Sequence, residues 1–180
     1  MSRDYGLCLR VLLLTPWLIA LCVSDIRKRT LPNKLTLGGL VGGFALMAAF
    51  GGLPGFLDSV AAAGCGVLFL ILPFLLRAAG AGDVKMLAAC AAFVGMRQVP
   101  FFLMAVSFAG LFVALAMIAM RQVSAARLKH AFRTLFDWRY DRKAGAAAIP
   151  KRDDERARVP FGCAIAIGTW ATLVSEFLAK

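Results

Sequence analysis

FFLMAVSFAGLFVALAMIAM, residues 101–120, runs for twenty residues without a charged side chain. About 20 consecutive apolar residues are what a helix needs to cross the hydrocarbon core of a bilayer. Moving outward in both directions, long apolar stretches bounded by charges or Pro/Gly turns recur, giving six predicted spans. They are Leu7 to Ser24, Leu35 to Phe50, Ser59 to Leu76, Val84 to Met96, Phe101 to Met120 and Val159 to Leu178. The second is short and glycine-rich and the fourth is short, which predicts tilt or interfacial ends. Of the chain's 180 residues 61% are hydrophobic and 17% charged, and the mean hydropathy is +0.77. Soluble domains average roughly half apolar and about a quarter charged. The expected fold is therefore an all-α integral membrane protein, one membrane-embedded domain over residues 1–180. Secreted disulfide scaffolds, nucleic-acid-binding domains and disordered chains are excluded.

The net charge of +11 acquires meaning once it is placed against the spans. Four Lys/Arg fall between Asp25 and Lys34, two between Arg77 and Lys85, and eleven between Arg121 and Arg158; Arg3, Arg10, Arg97 and Lys180 make up the rest. Basic residues are retained in the cytoplasm. The connections after spans 1, 3 and 5 are thus expected inside, with both termini outside. The first span carries its heavier charge (Arg27, Lys28, Arg29) after the apolar core, the reverse of a cleaved signal peptide, so it is read as permanent. The basic segment at 121–158 contains Leu128, Phe132, Leu135 and Phe136 at helical spacing among Arg127, Lys129 and Arg133. That pattern suits a helix on the anionic inner surface of the membrane, with membrane lipids as its partner; a solvated loop that fixes topology is the plainer reading.

Glycines and alanines in spans 2 and 3 (Gly38, Gly39, Gly42, Gly43, Ala61 to Gly64, Gly66) are expected to bring helix backbones close together. Cys8, Cys22, Cys65, Cys90 and Cys163 stand singly in apolar runs, with no Cys-x-x-Cys pair and no histidine nearby, so buried thiols are expected and no metal site.

Ionisable groups are costly at the membrane, which makes acids touching an apolar span informative. Asp137, Asp141, Asp153, Asp154 and Glu155 belong to the basic segment; Asp4, Asp58 and Glu176 lie near outward-facing ends. Asp25 closes span 1 at the cytoplasmic side and Asp83 opens span 4 there, so the charge-derived topology sets both at one depth. Two carboxylates within reach of each other share one proton and offer a general base and a general acid together. No serine in the spans has a histidine for a triad. A structural reading stands beside this one, with Asp25 paired to Arg27 or Arg29 and Asp83 to Lys85.

Asp83 lies in Gly80-Ala81-Gly82-Asp83-Val84-Lys85, a G-x-G-D-x-K run lacking the third glycine of a dinucleotide loop. Its glycines leave room for a peptide backbone to approach the carboxylate. Asp25 is followed by Arg27, Lys28 and Arg29 and then Leu31-Pro32-Asn33, where Pro32 and Asn33 are expected to turn the chain into the next span. Together these stretches resemble the type IV prepilin peptidase family of membrane aspartic proteases. Val159-Pro160-Phe161-Gly162, with Ala164, Ala166 and Gly168, is similar to the family's segment opening the last helix.

The resemblance implies Asp25 and Asp83 as the catalytic pair, with Gly80, Gly82 and Lys85 in support of substrate, and no cofactor. It implies as substrate a prepilin or pseudopilin of the type IV or Flp class, whose short basic leader is cut on the cytoplasmic side of the bacterial inner membrane. Longer members carry a cytoplasmic region with paired Cys-x-x-Cys motifs and also methylate the product. This sequence resembles the compact, peptidase-only form, so methyltransferase activity is not expected. A different class stands as the alternative, a small transporter or assembly subunit whose acids handle a cation or protons; the lack of inverted repeats and of acids nearer the midplane weighs against the transporter, while a structural subunit of a secretion apparatus would use the basic segment as its docking surface.

Overall fold

A computed structural model describes residues 2–28, 31–75, 79–119 and 161–178. These residues form α1 (Ser2–Lys28), α2 (Asn33–Leu75), α3 (Ala81–Val94), a 3₁₀ turn (Met96–Gln98), α4 (Val99–Ala119) and α5 (Phe161–Leu178), with no strand among them. The expected all-α membrane architecture is what they show. Four stretches are long and apolar enough to cross a bilayer, Leu9–Arg27, Asn33–Leu75, Met96–Ala116 and Phe161–Leu178. The exposed side chains agree: on α4, Phe101, Met104, Phe108, Leu111, Phe112 and Leu115 all face outward. A row of large apolar side chains on the outside of a helix long enough to span is what a lipid-facing surface requires. The basic segment 121–158 lies outside the described residues.

Helix α2 departs most from the sequence reading, which has two spans separated by a connection over residues 51–58. At 43 residues a straight helix would be about 64 Å long, twice a bilayer core. The connection shrinks to one non-helical residue, Gly52 (φ 60, ψ −150). A side chain there would meet its own backbone, so glycine is what permits the reversal. Pro54 follows, its fixed φ already suited to the first turn of a new helix. The two limbs fold back on each other: Leu40 and Phe44 of the first and Ala63 and Val67 of the second pack on Ala88 and Ala92 of α3. Those two alanines are one turn apart, about 6 Å, which limbs in line could not both reach.

Helix α3 sits between the limbs and is buried without interruption from Met86 to Val94. Close approach is made by small residues, as expected in lipid. A side chain at Gly66 would come within 3.2–3.3 Å of Leu87, Ala88 and Ala91, and one at Gly43 within 3.1–3.4 Å of Ala92 and Phe93. Gly38 and Gly64, expected to serve the same purpose, face open space. Helices α1 and α5 run antiparallel along one side of the bundle, joined at one end by Arg10 and Glu176 (3.9 Å) and at the other by Asp25 and Gly162. Trp17 ties α1 to the start of α2 by donating its indole N–H to the Leu35 carbonyl at 2.9 Å.

Candidate active site

The G-x-G-D run folds as the start of a helix because of the order of its residues. Gly80 is extended (φ −85, ψ 155) and forms the N-cap of α3, which places Asp83 at the third helical position. From there the Asp83 Oδ2 accepts the Gly80 N–H at 2.9 Å, satisfying a backbone donor that a helix start leaves open. A carboxylate in a first helical turn also meets the positive end of the helix dipole. Gly82 faces Leu31, and a side chain on it would come 2.9 Å from the Leu31 Cβ. The absence of that side chain lets the segment entering α2 lie against the first turn of α3. Lys85 then bridges the same two elements, its ammonium donating to Asn33 Oδ1 at 2.9 Å.

Asn33 therefore does more than the turn expected of it. The turn itself is present: α2 begins at Asn33, and the Pro32 carbonyl accepts from the N–H groups of Leu35 and Thr36 at 3.0 and 3.2 Å.

Asp25 stands in the last turns of α1 and is 6% exposed. Its Oδ2 accepts the backbone N–H of Gly162, in the first turn of α5, at 2.9 Å. Burying a carboxylate is costly unless it is hydrogen-bonded, and here the donor comes from a helix 137 positions away in the chain. Phe161, beside Gly162, packs its ring against Gly110 of α4. The start of α5 is thus seated on α4 while its amide addresses α1.

Gly80, Gly82, Asp83 and Lys85 thus gather with Leu31 and Asn33, and Asp25 gathers with Gly162. Both groups belong to the end of the bundle where α1 finishes and α2, α3 and α5 begin. Asp58 and Glu176 are at the opposite end, as the charge pattern implies. Asp58 Oδ2 accepts the Met96 N–H at 2.9 Å beyond the far end of α3, and Glu176 faces Arg10. The sequence reading treats Asn33 as a turn former and Gly162 as part of a helix-opening segment. Neither has a local signal for its contact, because each partner comes from a distant part of the chain.

Comparison with known proteins bears on the same region. The model of the type IV leader peptidase family matches residues 12–115, a stretch that contains Asp25, Asn33 and the whole Gly80 to Lys85 run. A prepilin leader peptidase/N-methyltransferase of Aeromonas hydrophila is 38% identical over 120 residues, covering 63% of this chain and 41% of the relative. The similarity thus spans less than half of that relative's length. No solved structure gives a significant match.

Proposed function

The chain belongs to the type IV leader peptidase family, and on that premise we propose that it is a membrane aspartic endopeptidase removing the short basic leader of type IV or Flp-type prepilins or pseudopilins. Asp25 and Asp83 are its catalytic pair. The observation that carries this reading is the gathering of the Asp25 turn, the Leu31 to Asn33 entry and the Gly80 to Lys85 helix start at one end of the bundle.

In this mechanism the two carboxylates hold one proton between them, since two like charges at close range resist ionising together. The ionised member takes a proton from water as its oxygen attacks the scissile carbonyl. The protonated member donates to the carbonyl oxygen as the tetrahedral intermediate forms, and collapse of that intermediate releases a protonated amine. Gly80 leaves the substrate backbone room to approach Asp83, Gly82 gives its space to Leu31 and so supports the site through the entry to α2, and Lys85 with Asn33 holds that entry against the start of α3. The six apolar segments, counting the limbs of α2 separately, cross the bacterial inner membrane with both termini outside. That orientation rests on the seventeen Lys/Arg in the connections after spans 1, 3 and 5, and it turns the carboxylate end to the cytoplasm, where a basic leader resides.

The test is cleavage in membranes. The chain is co-expressed with a small Flp-type prepilin and processing is followed by the size shift of the pilin. Wild type is expected to cut, while Asp25→Asn and Asp83→Asn each insert normally and accumulate uncut prepilin. Equal processing in all three would assign the acids a structural or transport role.

A further inference from the structure

The geometry points to Gly162 as a positioning residue for Asp25: its backbone amide fixes one oxygen of that carboxylate, and the lack of a side chain is what lets it do so. The inference rests on the proposed peptidase reading for what Asp25 does, but the contact itself stands on structure alone. The Gly162 N–H lies 2.9 Å from Asp25 Oδ2 in a buried setting. A Cβ built on Gly162 would sit 2.6 Å from that oxygen, 3.1 Å from Asp25 Cγ and 3.4 Å from Asp25 Cβ. The first separation is far below any van der Waals contact, so an alanine at 162 and the observed Asp25 rotamer exclude each other.

The surrounding packing explains why the carboxylate would yield rather than the helix. Phe161 is held by its ring against Gly110, where a Cβ would be 3.0 Å away. Two turns further on, Gly168 packs on Val106, with the Val106 backbone nitrogen 2.7 Å from the place of a Cβ. Helix α5 is thus clamped to α4 on both sides of residue 162 and has little freedom to retreat. The Asp25 carboxylate, carried on two single bonds, shifts at less cost than the clamped helix backbone.

The chemical consequence follows from what a dyad requires. A general base must hold its lone pair toward the attacking water, and an error of about 1 Å in placing a reacting group costs on the order of 10²-fold in rate. An amide donor directs one oxygen without bringing a positive charge of its own. A Lys or Arg partner in the same place would compete for both oxygens. The first turn of a helix is well suited to this task because its N–H groups have no partner within the helix.

Gly162→Ala is compared with wild type, Asp25→Asn and Gly43→Ala, each purified and returned to vesicles, using a purified prepilin as substrate. Gly162→Ala is expected to lower kcat about 10²-fold while KM stays within about threefold, the pattern of a group acting after binding. Gly43→Ala crowds α2 against Ala92 and Phe93 of α3, away from α5 and Asp25; it is expected to lower heat resistance and to leave kcat per folded molecule unchanged. A Gly162→Ala protein with wild-type kcat, beside an inactive Asp25→Asn, would overturn the assignment and leave the peptidase reading intact. Should Gly162→Ala fail to accumulate, the double variant Asp25→Ala/Gly162→Ala decides. Restored accumulation confirms that the clash is with the Asp25 carboxylate, and continued failure overturns it. A wild type that does not cut, or an Asp25→Asn that does, removes the peptidase reading; the accumulation and heat resistance of the same double variant against Gly162→Ala still test the contact.

Discussion

The two ends of the α1–α5 seam solve the same problem differently. At one end Arg10 and Glu176 bring opposite charges to 3.9 Å, with Arg10 Nε and Glu176 Oε2 buried and lacking hydrogen-bond partners among the described residues. At the other, Asp25 is 6% exposed and is met by a backbone amide at 2.9 Å. The first arrangement cancels charge with loose geometry and serves only to hold the helices. The second fixes an oxygen closely through an uncharged donor, the kind of contact that suits the acid–base role proposed for Asp25. The difference between the two ends is thus one of positioning: an ion pair at the limit of contact against a single oxygen held by a backbone amide.

Exchanging what each end loses sharpens this contrast. Asp25→Asn keeps the shape of the side chain and removes its charge, so cleavage is expected to fall by about 10²–10⁴-fold with little change in heat resistance, checked by pilin processing beside a melting curve. Glu176→Gln should do the reverse. Removing one side of this half-buried pair leaves a polar partner uncompensated, at a cost of about 1–3 kcal/mol, and chemical denaturation in detergent would read that loss while kcat per folded molecule holds. Replacing both members, Arg10→Met with Glu176→Leu, should recover most of the stability; a double variant as unstable as the single one would show that the pair does more than hold helices.

Smaller effects belong to residues that shape the scaffold between these ends. Gly52→Ala forces a side chain onto a positive-φ backbone (φ 60, ψ −150) that only glycine adopts readily, at a cost of about 1–2 kcal/mol, readable as a lowered melting temperature. Asn33→Ala removes the acceptor for Lys85 and should cost about 1 kcal/mol. Its expected signature is a modest rise in KM with kcat preserved, since it loosens the entry to α2 rather than either carboxylate. A large fall in kcat from Asn33→Ala would extend the positioned end of the seam to include the Lys85 bridge.

The same contrast separates what was legible in the sequence from what was not. Apolar runs, the start of α2 after Pro32 and the segregation of Asp25 and Asp83 from Asp58 and Glu176 follow from local composition and from where basic residues cluster. Each depends on a free energy of transfer that a single segment carries by itself. The reversal at Gly52 was obscured because Gly51-Gly52 and Pro54 also suit a longer connection, and helix geometry on both sides closes the gap to one residue. The burial of α3 depends on the two limbs closing around it. The Gly162 contact with Asp25 and the Arg10 contact with Glu176 join positions far apart in the chain, so no periodicity or motif at either residue announces its partner. Tertiary packing decided both.

The central claim is that Asp25 and Asp83 act as one unit, and single-turnover cleavage by the purified chain in vesicles tests it most directly. Rates are measured for Asp25→Asn, Asp83→Asn and the double variant with all three shown to be folded. Residues that share one proton lose their function together, so the double variant is expected to be no slower than the slower single one. Losses that multiply in the double variant, or a single variant that cuts at the wild-type rate, would contradict the account.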